Sequence, residues 1–193
     1  MIGDVFGKSI DVFKRDFVAW VLFGLVLILA GSLIPLVGGL ILLPNALREG
    51  ERAIVEGRSP QVGELFNFSH LGLDLVSMLL YVMTQTLGSL LCCVGTPIAW
   101  IGFWYSAELA ADGRLSATDT LKLSWAWSTT HLGDTIALAV ISLALNSAGA
   151  SLGMGIGVLC TMPLTLIAWI LYWSSVREQV YDLAAQKGIE VMR

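Results

Sequence analysis

The chain has little charge. Lys, Arg, Asp and Glu make up 13% of its 193 residues, about half the share of an ordinary soluble domain. It has three cysteines, and two of them, Cys92 and Cys93, are adjacent. That excludes a disulfide framework and the paired spacings of a zinc site. No nucleotide loop, nucleophile elbow or pair of carboxylates at a catalytic spacing is present. The net charge of −4 suits neither nucleic acid nor a strong polybasic attraction to anionic lipid. The expectation is therefore a protein that is not an enzyme, binds no cofactor, metal or nucleic acid, and carries no catalytic residues.

What is present is apolar mass, 56% of the residues. It is gathered into runs at 17–34, 36–47, 75–94, 97–111, 135–145 and 156–176. A helix that crosses ~30 Å of hydrocarbon needs about 20 residues. The first, third and sixth runs reach this length, while the second and fifth are marginal. The first run could pass for a signal peptide, but Asp4, Asp11 and Asp16 precede it in an amphipathic pattern. That reads as an uncleaved membrane helix with a lead-in.

Charge placement decides the topology. With a turn at Pro35–Gly39, six spans leave segments 1–16, 48–74, 108–134 and 177–193 on one side. Those segments hold every Lys and Arg: Lys8, Lys14, Arg15, Arg48, Arg52, Arg58, Arg114, Lys122, Arg177, Lys187 and Arg193. The opposite turns, near Pro35, Gly95 and Gly149, hold none, and the acids follow the same partition. Basic residues in short loops stay cytoplasmic, which puts both termini inside. A single long helix over 17–47 would give five spans and strand most of these cations outside. The second span is short, so Arg48 must snorkel, and the stripe Leu43, Ala46, Leu47, Gly50, Ala53, Ile54 and Gly57 carries that helix into the cytosol.

The expected fold is all-α: a polytopic membrane bundle of about six transmembrane helices in three hairpins, forming one domain over 1–193. A lead-in at 1–16 precedes hairpins at 17–57, 58–113 and 114–193. The hairpins repeat local signals. His70-Leu71-Gly72-Leu73-Asp74 and His131-Leu132-Gly133-Asp134 open the third and fifth spans, each with an acid where the helix dipole favours one. Gly57, Gly113 and Gly188 follow helix ends and suit left-handed caps. Ser59-Pro60 and Ser116-Ala117-Thr118-Asp119 are helix starts. Residues 2–15, 60–68 and 117–127 read as amphipathic helices on the cytosolic side, at the inner leaflet or under the bundle, with ordinary cytosolic loops as the alternative.

Several constellations have a structural and a functional reading. Thr84, Gln85 and Asn146 are the polar residues deepest in the apolar runs and would line a passage, or bond between helices. Gly149, Gly153 and Gly157 allow close helix packing within the bundle, or a homo-oligomer seam. Trp100, Trp104, Trp169 and Trp173 read as interfacial anchors. His70 and His131 with Asp74 and Asp134 are structural before they are metal ligands. Cys160 is expected to be a free thiol, with a bridge to Cys92 or Cys93 as the alternative.

The segments DFVAW, AIVEGRSPQVGELFNF, WYSAELAADGRLSATDTLKLSW and MPLTLIAWILYW resemble a group of bacterial six-helix membrane proteins of unknown function. That group is similar to the membrane domain accompanying some glycerophosphodiester phosphodiesterases. The resemblance covers nearly the whole chain and implies an inner-membrane location. It brings no catalytic domain and no site residues. The functional expectation is a membrane scaffold or accessory protein surrounded by lipid. Its cytosolic collar would dock a protein partner or inner-leaflet lipid through Arg58, Glu64, Phe66, Phe68, Arg114, Lys122, Trp125 and Trp127. The alternative is a small permease or oligomeric channel for a small molecule or lipid. Partner identity, transported species and oligomeric state stay open.

Overall fold

The computed structural model describes residues 2–33, 41–90, 92–151 and 156–192, without the side chains of 33 and 92–94. The described residues are helical, with no strand among them. In chain order the helices are α1 (Ile2–Arg15), α2 (Phe17–Leu33), α3 (Leu43–Glu56), α4 (Leu71–Leu90), α5 (Cys92–Gly102), α6 (Ser106–Asp112), α7 (Ala117–Thr130), α8 (Leu132–Ser151) and α9 (Val158–Gln186). Three of them, α4, α8 and α9, are long and apolar enough to cross a membrane, and α2 is a shorter apolar helix.

The last helix organises the bundle. At 29 residues α9 extends about 44 Å, and it packs against α1, α2, α3, α7 and α8. Its first half meets Trp20, Phe23, Leu27, Ala46 and Leu47 through Leu166, Ile167 and Ile170. Its second half meets Tyr105, Leu109, Trp127 and Leu138 through Tyr172, Trp173 and Val176. Each large side chain buried in this way contributes about 1.5–3 kcal/mol. Glycine lets the backbones approach. A Cβ at Gly24 would lie 2.4 Å from Pro163 Cγ, and one at Gly50 would lie 2.5 Å from Ile170 Cδ1.

The chain reverses between α2 and α3. The Ser59 hydroxyl, just beyond α3, donates to Asp16 Oδ1, just before α2, at 3.1 Å. A continuous helix over 17–56 would hold those ends about 60 Å apart. A single straight helix over 17–47 is therefore not formed, and the turn expected at Pro35–Gly39 lies outside the described residues. The stripe on α3 faces inward, with Ala46, Leu47, Gly50 and Ala53 buried.

Three glycines and Ser116 end or begin helices as their local signals imply. Gly57, Gly113 and Gly188 have φ of 66°, 67° and 67°, the left-handed geometry that costs a Cβ-bearing residue. Ser116 caps α7 by accepting from Asp119 N–H at 3.2 Å. Elsewhere tertiary packing overrode the pattern. The expected helix at 60–68 is a five-residue 3₁₀ turn, Val62–Phe66, because Asn45 Nδ2 donates to both Leu65 O and Asn67 O and ties the segment to α3. Gly95, expected in an outer turn, lies within a helix, since α5 begins at Cys92. A Cβ at Gly88 would sit 2.9 Å from Gly95 O, so Gly95 is helical and packs on α4. The run at 97–111 is two helices, broken between Gly102 and Ser106.

The glycine pair Gly149 and Gly157 packs inside the bundle: a Cβ at Gly157 would lie 2.4 Å from Gly149 O. Gly153 lies outside the described residues. Three of the tryptophans expected as border anchors pack on one another. Trp104 meets Trp100 and Trp169 edge-on at 4.7 and 4.8 Å, and Trp173 is buried.

Candidate functional site at the charged end of the bundle

The four charged segments converge. Arg48 on α3 makes a bidentate pair with Asp74, one contact at 2.7 Å. It also donates to Ala111 O at 2.7 Å, Ala110 O at 3.2 Å and Asn45 Oδ1 at 2.9 Å. One partly buried guanidinium thus joins α3 to α4 and satisfies carbonyls at the end of α6. Asp74 lies in the first turn of α4, where the helix dipole also favours its charge.

Arg177 on α9 pairs with Glu51 on α3 and, at 3.0 Å, with Asp112 at the end of α6. Tyr181 donates to Asp112 at 2.9 Å. Burial pushes the Asp112 carboxyl above its ordinary range, against the pull of Arg177 and Tyr181. Glu49, 1% exposed, accepts from Arg58 and from Gln61 N–H at 2.7 Å. Its hydrogen bond, with that of Glu56, holds the Arg58 guanidinium above its ordinary value. The C-terminal segment closes the ring, with Met192 N–H donating to Arg114 O at 2.7 Å.

Arg48 and the Arg177–Glu51–Asp112 cluster line an open cleft of about 600 Å³ between α3, α6 and α9. Arg48, Arg52, Arg114 and Arg177 face Glu51, Glu56 and Asp112 across it, with His70 at its rim and Val55 on its wall. Because Arg48 is matched by Asp74 behind the wall, the cleft is close to neutral yet strongly polar. It suits a ligand surface carrying both signs better than a simple anion. Val55 is 76% exposed, and Phe66 and Phe68 are 47% and 54% exposed. Isolated exposed apolar groups are ordinary; here they stand at the polar end of the molecule.

The expected collar residues divide. Phe66, Phe68, Arg114, Lys122 and Trp125 are exposed, and Arg114 lies 5.3 Å from the centre of the Tyr181 ring. Glu64 is 4.0 Å from Arg52. Arg58 is engaged by Glu49 and Glu56. Trp127 is a correction: it is 2% exposed and stacks on His131, ring centres 3.7 Å apart, because α7 turns that face into the core. Lys122 and Trp125 do not line the cleft; with Phe103 and Leu80 they border a separate apolar groove.

Of the deep polar residues, Thr84 donates to Tyr81 O on its own helix. Asn146 donates to Thr165 Oγ1 on α9 at 3.2 Å. Gln85 Nε2 has no hydrogen-bond partner among the described residues. Among the described residues no group of His, Cys, Asp and Glu is placed for a metal, and Cys160 is a free thiol. The Cys92 and Cys93 side chains lie outside the description. The sequence reading missed Arg48–Asp74 and Arg177–Glu51–Asp112 as pairs. The available signal was acids and bases at one depth in different segments, which does not say which will meet. The chain matches no family model, no curated protein and no solved structure.

Proposed function

We propose that this is a six-span bacterial inner-membrane protein with both termini in the cytosol, and that it acts as a non-enzymatic scaffold or accessory subunit. The cleft at its charged end docks a segment of a protein partner. The observation that carries this reading is the near-neutral cleft with exposed Val55 on its wall. A partner segment that carries both charges and an apolar anchor would match it. The gathering of charge at one end, with apolar helices beyond it, is the distribution expected when one end meets the cytosol. The resemblance to six-helix membrane proteins is in keeping with that arrangement.

A photo-crosslinking residue at Val55, with a second at Val18 on the outer face of α2, tests the reading in cells. The expected result is a discrete protein adduct from position 55 that is lost on Phe68→Ser, and only lipid adducts from position 18. Lipid adducts alone from position 55 would refute the docking function. The permease alternative has weaker support: Thr84 and the Asn146 amide N–H are engaged within and between helices, and of the atoms on the three deep polar residues only Gln85 Nε2 and Asn146 Oδ1 are buried with no partner among the described residues.

A further inference from the structure

A second surface lies on the flank of α2, away from the cleft. Val18, Leu22, Leu25 and Leu29 share one face of α2, and Lys14, at the end of α1, borders the same groove as Val18 and Leu22. Val18, Leu22 and Leu29 are 67%, 49% and 52% exposed. Lys14 is exposed and makes no ion pair or side-chain hydrogen bond among the described residues. Beside it, Arg15 Nε donates to Asp16 Oδ2 at 3.1 Å, and Ser59 holds the other Asp16 oxygen. Asp16 is thereby occupied, while the outer N–H groups of Arg15 have no partner among the described residues. Lys14, Arg15, Asp16, Phe17, Val18 and Leu22 line a groove of about 560 Å³, whose two cations and one carboxylate leave one net positive charge.

The groove has the polarity of an amphiphile: cationic at one end, apolar along the rest. From Val18 to Leu29 the face extends about 16 Å, close to half the ~30 Å of bilayer hydrocarbon. We infer that it seats an anionic diacyl phospholipid of the inner leaflet, with the phosphate against Lys14 and Arg15 and an acyl chain along Val18, Leu22 and Leu29. A zwitterionic lipid would bring its own cation against these two. A free phosphate would gain nothing from the apolar face. The inference rests on the membrane placement proposed above.

The test uses the full chain in nanodiscs of mixed phosphatidylglycerol and phosphatidylcholine, released for native mass spectrometry. Wild type should retain phosphatidylglycerol preferentially. Lys14→Gln should lower that preference about five-fold, the effect of one charge at a lipid surface, and Lys14→Gln/Arg15→Gln should lower it further. Lys187→Gln, a cation at the end of α9, should leave it unchanged. Glycerol phosphate in excess should not displace the lipid. Equal retention by wild type and the double variant, or displacement by glycerol phosphate, overturns the lipid site and leaves the membrane reading intact. Recovery of the protein as a soluble species with no lipid of either kind overturns both.

Discussion

Replacing Arg48 with Met should be among the most damaging single changes in this protein. The substitution keeps an apolar stem of similar length and removes the guanidinium. Asp74, 1% exposed, would then be a buried carboxylate without its partner, which costs about 3–5 kcal/mol. Ala111 O would also lose a donor at 2.7 Å, adding about 1 kcal/mol or more. For a chain of this length each kcal/mol moves Tm by about 2–4 °C. The expected drop in detergent is therefore on the order of 10 °C. The converse change, Asp74→Leu, should do similar harm by stranding Arg48. Arg48→Met/Asp74→Leu should recover most of the loss, since a matched apolar pair carries no uncompensated charge. Differential scanning fluorimetry of the four proteins closes the cycle. Single variants within about 2 °C of wild type, or a double variant as poor as the sum of the singles, would refute the argument from the buried pair.

Gly24→Ala should destabilise by about 1–3 kcal/mol, because its methyl would strike Pro163. Gly7→Ala, in open space within α1, should stabilise by about 0.5–1 kcal/mol; thermal melts that fail to separate the two would count against the α2–α9 contact. Ser116→Ala should cost about 1 kcal/mol through the lost cap. The Asp119 carboxyl is held below its ordinary value by Ser116 and then by Lys122. Its contribution is therefore present above the ordinary carboxylate range and lost as pH falls through the lowered value. Asp119→Asn should flatten that part of the acid-stability curve, measured by melts from neutral to acidic pH. In a background with the native cysteines replaced, Arg52→Cys and Lys122→Cys should resist an impermeant maleimide added from the periplasm and react once the membrane is opened. Labelling in intact spheroplasts would invert the proposed topology.

The ends of the helices were legible because their signals are local. A glycine that accepts positive φ, a serine facing an acid three residues on, and an acid in a first turn need only their own neighbours. The partition of charge was legible for a related reason. Burial of an unpaired charge is so costly that the ionised residues had to gather away from the apolar runs wherever the chain folded. By contrast, the Pro60–Phe68 segment had a helix start and an apolar face, yet Asn45 holds it as a 3₁₀ turn through bonds spanning 20 and 22 residues. No window of sequence contains that competition. Trp127 was read as surface because α7 is polar enough for either orientation. The packing of α7 against α4, α6, α8 and α9 turned it inward.

The sequence alone thus determined an all-helical chain, apolar in long runs, with its charge in four segments and its helices ended at Gly57, Gly113 and Gly188. Those outcomes depend on hydrophobicity and backbone sterics, which act over a few residues. Only the tertiary structure decided that Arg48 meets Asp74 and that Arg177 joins Glu51 to Asp112. It likewise decided that α9 is the element around which α1, α2, α3, α7 and α8 assemble. Many pairings of acids and bases satisfy the same charge partition. The choice among them was made by where glycines such as Gly24 and Gly50 allow helices to touch, and so by which side chains come within hydrogen-bond reach.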